Sequence, residues 1–119
     1  MGSISDCSRS AAARGNGVKG GGSGGSLWIS TGRIFGSGFL SADGGTGDLA
    51  AGCGGGGGGR IALFFSTNQF TGVVSAHGGA GANYGGAGTI YLQASNNFIP
   101  LVVIDNANAR GTNTPLGTL

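Results

Sequence analysis

The chain of 119 residues has room for one domain, and 30 of its residues are glycine, where an ordinary protein carries about 7 %. Two prolines and no Gly-X-Y period exclude collagen, and 39 % hydrophobic residues gathered in β-branched and aromatic runs exclude a wholly disordered linker. Only 8 % of residues are charged, and the net +2 is scattered over Arg9, Arg14, Lys19, Arg33, Arg60 and Arg110. Phosphate neutralisation needs clustered cations, so no nucleic acid is expected as a partner.

Residues 1–25 read as a partial coil followed by a Gly/Ser-rich loop. Ser3-Ile4-Ser5 is an orphan half-strand, Ala11-Ala12-Ala13-Arg14 is too short to stand as a helix, and Gly20 to Gly25 closes the loop. A first strand is expected at Ser26–Ser30, a turn at Thr31-Gly32, weaker strand character at Arg33–Phe35 and a second strand at Phe39–Ala42. The plan returns as Arg60–Phe65, a turn at Ser66-Thr67-Asn68 and Val73–Ala76. It returns again as Thr89–Gln93, a turn at Ala94 to Asn97 and Leu101–Asp105. Residues 106–119 read as a flexible or coupling tail.

The spacing between these segments carries the fold expectation. Leu27-Trp28-Ile29 returns 34 residues later as Ile61-Ala62-Leu63, and Phe39-Leu40-Ser41-Ala42 returns at the same offset as Val73-Val74-Ser75-Ala76. A further shift of 29 brings Ile61 and Leu63 onto Ile90 and Leu92, and Val73-Val74 onto Val102-Val103. A fixed offset of this kind predicts a stacked repeat. The expected fold is all-β, a right-handed parallel β-solenoid (β-helix) of about three coils with long glycine-rich loops, in one domain spanning 1–119. Period two within the strands assigns inward columns Leu27/Ile61/Ile90, Ile29/Leu63/Leu92 and Leu40/Val74/Val103. Trp28, Ala62 and Tyr91 form an outward column, in which Trp28 and Tyr91 are candidate interface or ligand contacts. Phe39, Val73 and Val102 add an apolar second face, so the second segment is expected to be covered on both sides.

Candidate chemistry is sparse. The six glycines Gly54 to Gly59 are followed by Arg60-Ile61, which fails the phosphate-loop pattern. Asp43, His77 and Asn106 fall at one position of the expected stack, with Cys7 one coil below, but a single His cannot supply a zinc set. No catalytic residue, metal or cofactor is assigned, and the chain is expected not to be an enzyme. Cys7 and Cys53 read most simply as two small thiols. The longest uncharged apolar run, Ile61 to Phe65, is far short of the roughly 20 residues a membrane span needs. No basic start followed by an apolar stretch marks a signal peptide.

The segments Gly24-Gly25-Ser26-Leu27-Trp28-Ile29, Gly38-Phe39-Leu40-Ser41-Ala42-Asp43-Gly44-Gly45, Gly57-Gly58-Gly59-Arg60-Ile61-Ala62-Leu63 and Gly86-Ala87-Gly88-Thr89-Ile90-Tyr91-Leu92 resemble the glycine-rich parallel β-solenoid repeats of large secreted or cell-surface proteins. The resemblance implies an extracellular or cell-surface location and transfers no catalytic residue. The expected function is a non-enzymatic structural subunit or segment of an extracellular fibre or surface appendage. It would self-assemble as a homo-oligomer or filament by head-to-tail strand stacking. The alternative is an adhesin or carbohydrate-contact module displaying glycine-rich loops, such as a phage-type tip adhesin. That version places the glycine runs 20–25 and 54–59 parallel in a sandwich.

Overall fold

The computed structural model describes residues 19–97 and 99–111. The half-strand Ser3–Ser5, Cys7, the Ala11–Arg14 turn and the tail beyond 111 lie outside the described residues. Six strands follow in chain order: β1 (Ser26–Gly36), β2 (Phe39–Ser41), β3 (Arg60–Phe70), β4 (Val73–Ser75), β5 (Thr89–Ala94) and β6 (Leu101–Val103). They form two open sheets, one of four strands in the order β1-β3-β5-β6 and one of two, β2-β4.

The apolar alternation of Leu27, Ile29 and Ile61, Leu63 builds the larger sheet. β1 lies parallel to β3 with Leu27 opposite Ile61 and Ile29 opposite Leu63, and β3 lies parallel to β5 with Ile61 opposite Ile90 and Leu63 opposite Leu92. In the small sheet Leu40 lies opposite Val74, also parallel. The two sheets share one core. Ile61, Leu63 and Ile90 from the larger sheet are buried with Ala42 and Ala76, and Leu27, Ile29, Leu40, Val74, Leu92 and Val103 pack around them half-buried. Leu27 and Ile29 are half-exposed because β1 is an edge strand, with a neighbour on one side only among the described residues.

The solenoid expectation is overturned by three features. First, the ladder does not stop at Thr31-Gly32 or at Ser66–Asn68. β1 and β3 each run for 11 residues through those expected turns, so no corner folds the chain around a coil at either place. Second, only the first member of the third pair of segments stacks on those before it. β6 turns back and pairs antiparallel with β5, with Ile90 opposite Val103, Tyr91 opposite Val102 and Leu92 opposite Leu101. The expected column Leu40/Val74/Val103 is broken at its last member, and Val103 joins the larger sheet instead. Third, both sheets are open. Two sets of parallel strands and an antiparallel hairpin are not a stack of equal coils. The solenoid, β-helix and repeat descriptions therefore fall together, and with them the resemblance to solenoid proteins.

The turn after β5 supplies the physical reason. The Asn97 amide donates to Ala94 O at 3.2 Å, and the Asn97 side chain accepts from the Ile99 amide at 3.1 Å in an Asx turn. The Gln93 side-chain amide donates to Asn97 O at 2.6 Å and to Ala94 O at 3.1 Å, tying the reversal to the strand it leaves. Pro100 then fixes φ and removes a donor just before β6. Among the described residues nothing covers the second segment on its far side. Phe39 is 80 % exposed and Val73 is 51 % exposed, on the side of the small sheet away from the core.

The glycine stretches are as ordered as the sheets. Residues 19–25, 53–59 and 82–88 run parallel in one layer. Gly21 and Gly24 donate to Gly54 O and Gly57 O at 2.9 and 2.8 Å, and Gly55 and Gly58 donate to Asn83 O and Gly86 O at 2.8 and 2.9 Å. Residues 42–48 and 76–81 form a second layer, where Gly44 donates to His77 O and Gly47 to Ala80 O, both at 2.8 Å. The layers are antiparallel to each other: Gly45 donates to Gly22 O at 2.7 Å, Gly56 to Gly45 O at 2.9 Å and Gly59 to Ala42 O at 2.7 Å.

These bonds recur every third residue, the period of a polyproline II helix, which has no internal hydrogen bonds and sends its amides outward in three directions. The stretch 53–59 is thereby bonded to four neighbours instead of a β-strand's two. Such packing leaves no room for a side chain at the interior contact positions. A Cβ on Gly56 would overlap Gly22 O, and one on Gly59 would overlap Gly25 O.

Candidate functional site

Two surfaces combine exposure with chemistry. The first is the outer face of the larger sheet. Strand alternation turns Trp28, Ala62 and Tyr91 away from the core, as their cross-strand pairing requires. Ala62 is too small to bridge Trp28 and Tyr91, and Phe64 does so instead. Its ring lies 6.0 Å from Trp28, edge-on at 66°, and 5.7 Å from Tyr91, tilted by 46°. Each such pair contributes about 0.5–1.5 kcal/mol beyond area burial. Val102, opposite Tyr91 on β6, extends the row. Trp28 remains 76 % exposed. Rings inclined to one another form a corrugated apolar ridge and not a flat stacking platform. Sequence reading missed Phe64, although period two from Ala62 puts it on this face.

The second surface is the end of the glycine lattice farthest from the sheets. Two tips meet there, and a third turn lies beside the second. Residues 49–52 join the lattice stretches 42–48 and 53–59, turning with Gly52 at φ +75°. The tip around 80–84 sits beside the first, with Ala82 donating to Cys53 O at 2.9 Å. In the third, Ala109 donates to Asn106 O at 2.8 Å across Ala107 and Asn108, both at positive φ (50° and 65°). Between the last two lies an open cleft of about 650 Å³ lined by His77, Tyr84, Asn106, Asn108 and Arg110 among others.

The Asp43, His77 and Asn106 positions do meet, as structural ties. The Asp43 carboxylate accepts from Ser75 Oγ on both oxygens at 2.8 Å, from the His77 amide at 2.7 Å and from Ser41 Oγ at 2.8 Å. Partial burial pushes the Asp43 carboxyl up, but the bonds from Ser75, the His77 amide and Ser41, with the His77 charge behind them, outweigh it and hold the group below the ordinary carboxylate range. Asn106 makes an equivalent tie at the next stretch. Its Oδ1 accepts from the Gly78 amide at 2.6 Å, and its Nδ2 donates to Gly85 O at 3.0 Å and Ala109 O at 3.2 Å.

His77 Nε2 stands 3.9 Å from Asp105 Oδ2, a surface pair of small energetic weight. Among the described residues no cluster of three or more His, Cys, Asp or Glu could hold a metal. Nor is any helix among them long and apolar enough to cross a membrane. Cys53 is fully buried and disulfide-bonded, where sequence reading preferred a thiol. Compared with family models, curated proteins and solved structures, the chain gives no match.

Proposed function

We propose that this chain is a non-enzymatic structural segment of an extracellular fibre or surface appendage. The observation that carries the reading is the two-layer glycine lattice. It commits much of the chain to a body held by backbone hydrogen bonds in several directions, the architecture of a load-bearing element. The disulfide at Cys53 supports an oxidising compartment outside the cell. A chain with 8 % charged residues, on which Trp28, Phe39 and Ile99 are left largely exposed, supports self-association. Electron microscopy of the protein isolated from its source without denaturant tests this. Filaments or a surface layer carrying the chain are expected, and discrete particles confined to the cell interior would refute it.

A second reading is an adhesin module. One observation favours it: the glycine runs 20–25 and 54–59 lie parallel, in a sandwich that presents the tips 49–52 and 80–84 side by side at one end. Replacing residues 49–52 and 80–83 together would then change binding to a target surface while the melting temperature holds. Unchanged binding would count against it.

A further inference from the structure

The first member of the parallel glycine layer is built like an interior member, yet no described residue covers its outer side. Along 82–88, a Cβ on Gly85 would overlap Gly56 O and one on Gly88 would overlap Gly59 O. Along 53–59, the equivalents Gly56 and Gly59 would meet Gly22 O and Gly25 O. All four of these glycines are buried. In 19–25, the equivalents Gly22 and Gly25 are exposed, and a Cβ on either meets no described residue within 4 Å. Gly38 repeats the pattern beside the small sheet: a Cβ on Gly72 would overlap Gly38 O, while one on Gly38 meets nothing. Nothing in the described chain requires glycine at these positions, although the same approach from one strand further would.

Among the described residues the sheet edge beside them is unpaired as well. β1 continues directly from 19–25 and is an 11-residue edge strand with a ladder on one side only. Edge strands of natural proteins are shortened, charged or broken by proline to prevent pairing. β6 at the opposite edge is three residues long and preceded by Pro100. β1 has neither defence. Its one charge, Arg33, donates to Gln69 of β3 and lies 5.3 Å over the Phe35 ring.

We propose that the continuous open backbone edge formed by 19–25 and β1 is the joint at which a second copy of this chain adds, the inference resting on the structural reading above. The occupant has to be an extended chain whose carbonyls approach Gly22 and Gly25 as those of Gly22 and Gly25 approach Gly56 and Gly59. A second copy brings Gly111 at the other end of the same layer, where a Cβ would overlap Gly85 O and the backbone bridges in parallel to Tyr84. Joining opposite ends of one layer is a heterologous contact and therefore open-ended, as a fibre requires. Backbone hydrogen bonds would cross the joint as they do between 19–25 and 53–59.

The test compares the full chain with a Gly22→Val/Gly25→Val double variant by sedimentation velocity across a concentration series, with thermal unfolding of both. The wild type is expected to form a series of species above the monomer, and the variant to stay monomeric with an unchanged melting temperature. A variant that associates like the wild type overturns this joint while leaving the fibre reading intact. A wild type that stays monomeric at every concentration overturns both. A lowered melting temperature in the variant means that the chain's own residues fill the space, which also overturns the joint.

Discussion

Asp43 shows how one exposed carboxylate organises a chain poor in charge. It sits where β2 passes into the glycine lattice and ties that point to β4 through Ser75 and the His77 amide. Its folded-state pKa is depressed. The stabilisation is therefore fully present above the unfolded value near 3.9 and is lost as pH falls through the lower folded value. Thermal unfolding followed by circular dichroism should show a melting temperature that drops below about pH 4. Asp43→Ala should lower stability at neutral pH by about 1–2 kcal/mol, a figure kept small because solvent screens the site, and should flatten the acid limb. Gly56 is the apolar counterpart. Gly56→Ala forces a methyl group onto Gly22 O in a buried lattice, at a cost of about 1–3 kcal/mol, whereas Gly22→Ala should leave the melting temperature unchanged.

At the scale of elements, β3 is the keystone. It pairs with β1 on one side and β5 on the other, and it supplies Ile61 and Leu63, which are buried against Ala42 and Ala76. Leu63→Ala should cost on the order of 2–5 kcal/mol, measured by chemical denaturation. Amide exchange should rank the elements in the same way. The amides of β3 should be the slowest, because their opening requires the whole core to separate, and those of β6 should exchange fast from a three-residue edge strand. Equal protection of β3 and β6 would contradict this description of the core.

The whole molecule combines two ways of packing. The sheets bury side chains and gain from the hydrophobic effect, while the lattice excludes side chains at its interior contact positions and relies on backbone hydrogen bonds. Ordered glycine is entropically costly, about 0.5–1 kcal/mol relative to alanine at each residue, so the lattice gains from any constraint on the unfolded chain. The disulfide at Cys53 is such a constraint, and it sits where the stretch 53–59 begins. Reduction should lower stability by about 2–4 kcal/mol. With Cys53 fully buried, reductant should act on the native protein only after unfolding, read by mass spectrometry of alkylated thiols with and without denaturant.

Some of this was legible in the residues. The offset between Leu27-Trp28-Ile29 and Ile61-Ala62-Leu63 marks which strands lie side by side, because parallel strands of like pattern bury like faces only in one register. The glycine count and the scarcity of charge are properties of composition, and they point away from clustered catalytic or basic sites before any fold is drawn. Other features required the folded chain. Whether Thr31-Gly32 and Ser66–Asn68 turn or continue depends on the ladder between β1 and β3, which holds both stretches extended. The direction of β6 is decided by bonds from Asn97 and Gln93 that form only when the reversal is made. Phe64 becomes a member of the outer ridge through rings on two neighbouring strands. The glycine lattice is the clearest case. A run of glycines permits almost any backbone path, so its own residues leave the path open, and only the carbonyls of neighbouring stretches select one.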